Sequence, residues 1–181
     1  MTTNEQRQLG RAKNAILAFF ERRISVPKIY IDAVWDGHPI DVLAIDRDGV
    51  GDVHVVLLLA RDYYSEAVLE PGKYDQLVEE VIDRLLSIQA QYKYLAVVDI
   101  SNNQNCPPFR FSERVIDKAF AQDGIGKIGL LQIDISPNII ISPNEEIQVR
   151  LEIKPERFRA KIAKLADDYI QQHEADWEIR A

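Results

Sequence analysis

Between Thr3 and Arg23 the apolar residues Ala12, Ala15, Ile16, Phe19 and Phe20 recur at helical spacing, which predicts a helix with one side laid against a core. Thr3 and Gln6 fit a capping box at its start. Pro27 breaks the pattern. IYIDAVW (29–35) is rich in β-branched and aromatic residues and runs into Asp36-Gly37, so it predicts a strand closed by a tight turn, with Tyr30 and Trp35 packing on the sheet. Ile40–Asp46 predicts a second strand, Asp48-Gly49 and Gly51 a second turn, and Val53–Arg61 (VHVVLLLAR) a third strand. The third has almost no polar residue from Val55 to Ala60. A strand of that kind has both faces covered, which requires helices on both sides of the sheet.

Pro71-Gly72 opens the clearest element, a helix on which Tyr74, Leu77, Val78, Val81, Ile82, Leu85 and Ile88 hold one side and Asp75, Glu79, Glu80 and Asp83 fall elsewhere. YLAVVDI (94–100) predicts a buried strand, and the Asn- and Pro-rich stretch 102–108 a surface loop. Ser112 is placed to cap a short helix carrying Val115, Ile116, Ala119 and Phe120. Strands are expected at Ile128–Ile133 and at Ile147–Ile153, the latter alternating strictly as an edge strand does, with residues 138–142 and the Pro143-Asn144 turn forming a hairpin before it. Pro155 suits the first turn of a last helix with Phe158, Ile162, Leu165, Ala166 and Tyr169 inward. The expectation is one α/β domain over residues 1–181, a mixed central sheet with helices on both faces.

Composition adds exclusions. The chain has 181 residues, 46% hydrophobic and 28% charged, with Cys106 its one cysteine, so an internal disulfide and a cysteine metal cage are ruled out. His38, His54 and His173 are scattered. No apolar run approaches the roughly 18 residues of a membrane helix, and the start lacks a secretory pattern, from which a cytoplasmic protein with no membrane partner is expected. The net charge of −7 is uneven: +4 over residues 1–30, −9 over 31–100 and −2 beyond. That total argues against a nonspecific nucleic-acid coat. Arg7, Arg11, Arg22 and Arg23 with Lys154, Arg157, Lys161 and Lys164 form either a basic surface or two solvated helix faces. Asp46, Asp48 and Asp52 have the rhythm of a calcium loop, but Leu57 stands where its bidentate Glu belongs, so a hairpin turn is expected.

The order helix, three strands, helix, strand, together with Pro39-Ile40-Asp41 before Val42–Asp46, resembles the PD-(D/E)XK phosphodiesterase superfamily, the restriction-endonuclease-like fold, over roughly residues 4–100. Residues 101–181 then form a C-terminal extension of strands and a helix. The hydrophobic-Asp-hydrophobic strand and the helix after strand three are also similar to the excision-controlling-factor proteins. In the superfamily an Asp begins or interrupts the second strand and a Glu-x-Lys sits on the third. The resemblance therefore implies Asp41 as catalytic acid and metal ligand, Arg61 in the place of the lysine, and Glu21 and Gln76 as accessory groups. Leu59-Ala60-Arg61 replaces Glu-x-Lys. Leucine cannot hold a hard cation, and an arginine that stays protonated is no proton relay. The expectation is a degenerate, non-catalytic nuclease-like protein without a cofactor, acting by binding nucleic acid or a protein partner. Two alternatives stand beside it: a Mg²⁺-dependent nuclease whose second carboxylate comes from Glu21, Glu66 or Glu70, and a scaffold that forms homo-oligomers through Ile147–Ile153 or the last helix. For each residue the plainer reading also stands, with Asp41, Glu21 and Gln76 solvent-facing and Arg61-Asp62 an exposed pair.

Overall fold

The computed structural model describes residues 3–25, 27–47, 51–62, 70, 72–100, 109–120, 126–135 and 147–174. Helix α1 (Thr3–Glu21) leads into strands β1 (Pro27–Trp35), β2 (His38–Asp46) and β3 (Val53–Arg61). Then come α2 (Lys73–Ser87), β4 (Tyr92–Asp99), α3 (Glu113–Ala119), β5 (Gly129–Asp134), β6 (Gln148–Ile153) and α4 (Ala163–Gln172). The strands form one mixed sheet in chain order, β1 through β6. The first three are an antiparallel meander, β3, β4 and β5 run parallel, and β6 returns antiparallel. Parallel neighbours need crossovers, and α2 and α3 supply them.

Both faces are covered, as the apolar β3 requires. On one side α1 sets Ala12, Ile16, Phe19 and Phe20 against Val42, Ala44, Val56, Ala96, Val98 and Leu131. On the other, α2, α3 and α4 set Val78, Ile82, Leu85, Val115 and Ala166 against Leu43, Val55, Leu57, Leu95 and Val97. Local chemistry explains the joints. Asp36 (φ 49°) and Gly37 (φ 76°) both adopt left-handed backbone, the requirement of the primed two-residue turn that brings Trp35 opposite His38. The Ser112 side chain accepts from the Val115 amide at 3.3 Å and starts α3. Gly129 passes the Tyr94 ring so closely that a Cβ there would lie 2.7 Å from its Cδ1 atom.

Two expectations at the C-terminal end need correcting. The last helix begins at Ala163, not at Pro155. The backbone amides of Glu156 and Phe158 donate to the carbonyls of Lys127 and Gln91 at 3.1 and 2.8 Å, which holds that stretch extended across the sheet end. Phe158 and Ile162 are still buried, but Leu165 faces solvent at 39% exposure. Strand β6 is an edge among the described residues, with a bulge opposite Leu130/Leu131 and with Arg150 and Glu152 exposed; bulges and charges of this kind blunt edges against further pairing. The side chain of Thr3, the Asp48-Gly49 turn, the 102–108 loop with Cys106, and the 138–144 hairpin lie outside the described residues. Among the described residues no helix is long and apolar enough to cross a membrane.

Candidate functional site

The alternation of β1 and β2 breaks at one place. In β1, Ile29 belongs to the core under α1 and Tyr30 to the core under α2, yet Ala33 and Trp35 are both on the α2 side. In β2, Ile40 is on the α2 side whereas Val42 is on the α1 side. Regular strands keep residues two apart on one face, so each strand has switched face between these positions. The pairs Ile31↔Val42 and Ala33↔Ile40 keep register across the break, which sets Asp32 opposite Asp41. Asp32 takes a left-handed φ of 55° to make the switch. Asp and Asn tolerate that region better than the surrounding β-branched residues would.

The β2–β3 ladder stops at Val42↔Val56, and a side chain takes over. Asp41 Oδ2 accepts the Leu58 amide at 2.8 Å, while Asp41 Oδ1 pairs with Lys13 Nζ, from α1, at 3.1 Å. The same ammonium bonds to Asp32. Lys13 is largely covered, Asp41 is half-buried and Asp32 is exposed. Burial alone pulls the Lys13 amine down, but hydrogen bonds and charge from Asp32 and Asp41 outweigh it, and its pKa is raised. The ammonium therefore sits between two carboxylates as a permanent internal cation.

This geometry does not suit a divalent ion. Each Asp41 oxygen already has a donor, and beyond Val56 the α1 side of β3 carries Leu58 and Ala60, neither with a side-chain oxygen. Leu59 and Arg61 alternate to the other side. Arg61 is buried there, with Nη1 2.6 Å from Asp99 Oδ2 and its guanidinium 5.3 Å from the Phe109 ring centroid. Asp41 and Arg61 are thus separated by the sheet. Arg61-Asp62 is not an exposed pair, because Arg61 is buried and bonded to Asp99 on β4. Glu21 is exposed at the end of α1, about 12 Å along the axis from Lys13 at the helical rise per residue. Gln76 is exposed on the first turn of α2, across the sheet from Asp41. Glu70 pairs with Lys73 at 3.0 Å, and Glu66 is outside the described residues. Among the described residues no three His, Cys, Asp or Glu side chains converge on one point, so the described residues do not fit Mg²⁺.

The two basic clusters also separate. The α4 stretch packs Phe158, Ile162 and Ala166 on the α2 side, and its Arg157 is held by Asp52, with Nη2 to Oδ1 at 2.7 Å. Arg11, Arg22 and Arg23 belong to α1 and the turn after it, on the opposite side. There, with Asn14, they border a groove of about 720 Å³ between α1 and the edge strand β6. Among the described residues none of the three has a carboxylate partner: Arg11 donates to Gln8 Oε1 at 3.2 Å, and Arg23 lies 4.2 Å over the Phe19 ring.

Sequence reasoning passed over Lys13 and Asp32. The one visible signal was Asp32 as the sole charge inside IYIDAVW, since the partnership with Lys13 depends on how α1 docks.

The fold and site define a mixed α/β protein with a carboxylate–ammonium–carboxylate bridge at a strand break. No family model matches the chain, and no curated protein matches it. Among solved structures it is similar to the SPO1766 protein of unknown function from Silicibacter pomeroyi, at 12% identity and a TM-score of 0.44, over 94% of this chain and 86% of that one.

Proposed function

We propose that this chain is a nuclease-like protein that has no hydrolytic chemistry and acts by binding nucleic acid. The observation that carries the reading is the Lys13 ammonium between Asp32 and Asp41. Metal-assisted phosphodiester hydrolysis needs carboxylate oxygens free to hold the cation against the phosphate. Here a side chain of the protein supplies the positive charge and occupies those oxygens. The order αβββαβ and an acid that interrupts the second strand support the nuclease-like part of the reading, and three arginines along one groove, with no carboxylate partner among the described residues, support the binding part.

Calorimetric titration of Mn²⁺ tests it. The wild type is expected to give no saturable heat and to leave single- and double-stranded DNA intact in Mg²⁺. Lys13→Met removes the charge and keeps most of the volume, so weak Mn²⁺ binding is expected to appear and to vanish again when Asp41→Asn is added. The same variant loses a charge-assisted hydrogen bond, a destabilisation of about 2 kcal/mol in urea unfolding. Cleavage by the wild type in Mg²⁺ that disappears in Asp41→Ala would overturn the reading.

A further inference from the structure

We infer that the groove between α1 and β6 is where nucleic acid binds, and that it takes a short unpaired strand rather than a duplex. This rests on the nucleic-acid reading above and narrows it to a site and a ligand class.

Three observations carry it. The first is charge. The protein is strongly acidic, yet among the described residues no carboxylate lines this groove and none pairs with Arg11, Arg22 or Arg23. Free cations grouped on one wall of a concavity focus potential and attract anions even on an acidic protein.

The second is length. Arg11 on α1 and Arg22 in the turn just past its end both border the groove, their backbones about 16 Å apart at the helical rise per residue. A ligand with anionic groups in series meets both without either side chain leaving its own part of the groove.

The third is the floor. Ala15 and Ala18 of α1 line the groove with Val149 of β6 and Ile147 just before it, a shallow apolar strip beside the arginines. The Arg23 guanidinium carbon lies 4.2 Å over the Phe19 ring at one end of the strip. A duplex hides its base faces and presents phosphates, which leaves this strip unused. An unpaired strand presents both: phosphates for the arginines and base faces for the apolar strip, the combination that single-strand sites use. An acidic peptide matches the charge but has nothing flat for the floor.

Fluorescence anisotropy with a labelled thymidine homopolymer decides the matter. The full chain is expected to bind it, and to bind the duplex formed with its adenosine complement more weakly. The double variant Arg11→Ala/Arg22→Ala is expected to weaken binding about tenfold and to flatten the slope of log K against log salt by about 0.7 per arginine. Both residues sit at the surface, and an unchanged circular-dichroism melt confirms that the variant folds. Lys164→Ala, on the other side of the molecule, is expected to bind as the wild type does. If the wild type binds the homopolymer and the arginine variant binds equally well, the groove is not the site, while the nucleic-acid reading survives. Equal or tighter duplex binding, or displacement by polyglutamate at matched charge, overturns the single-strand assignment alone. No binding to any nucleic acid overturns both.

Discussion

His54 is buried on the α1 side of β3, its ring stacked on Tyr92 at 4.6 Å and edge-on to Phe20 at 5.6 Å, with Nδ1 lacking a hydrogen-bond partner among the described residues. Burial pushes its pKa down to about 4, against a smaller opposing pull from Asp52. In the unfolded chain the same ring titrates near 6.5. Between these values the unfolded chain binds a proton that the folded one refuses, so stability falls as pH drops through that window and is whole above it. Integrating that difference gives a loss of about 2 kcal/mol between about pH 8 and about pH 5, approaching about 3 kcal/mol at lower pH. His54→Phe keeps an aromatic ring in the stack and removes the titration. Urea unfolding of both proteins at the two pH values separates this term from the background of carboxylates common to both. The wild type is expected to lose about 2 kcal/mol more than the variant. Equal losses, or a histidine NMR titration with its midpoint near the unfolded value, would refute the argument.

Other substitutions probe the fold where one contact decides. Gly129→Ala drives a methyl group into the buried Tyr94 ring and the Pro155 ring behind it, and thermal unfolding should register a loss of about 1–3 kcal/mol. Ser112→Ala removes the acceptor for the Val115 amide; a loss of about 1 kcal/mol is expected in chemical denaturation, with hydrogen exchange rising first in α3.

Most elements were legible because their patterns are local. β3 runs over the predicted residues, and α2 keeps Tyr74, Val78, Ile82 and Leu85 inward on the predicted spacing. The start of the last helix was not legible. Pro155 is a good first-turn residue, but the amides after it find partners in Lys127 and Gln91, far away in sequence, and those bonds hold the chain extended. The site was half legible for a similar reason. Asp41 stood out as a charge in an apolar strand. Which face it takes depends on a break shared with Asp32, and what it binds depends on where α1 lies. Strict alternation cannot tell that Arg61 points away from Asp41, because the switch at position 41 falls in a different strand.

The sheet is laid down in the order of the chain, each strand beside the one before it, but α1 does not follow that order. The helix comes before every strand, and it rests on a surface that includes Ala96, Leu131 and Val149, contributed by β4, β5 and β6. During synthesis β1 to β3 can cover part of the Phe19 side of α1, but the rest stays apolar and uncovered until β4, β5 and β6 exist. Such intervals are when growing chains aggregate or recruit chaperones. The groove joins this early helix to β6, so it is complete only once that strand has docked. A chain cut short before β6 would carry all three arginines and have no groove for them to line.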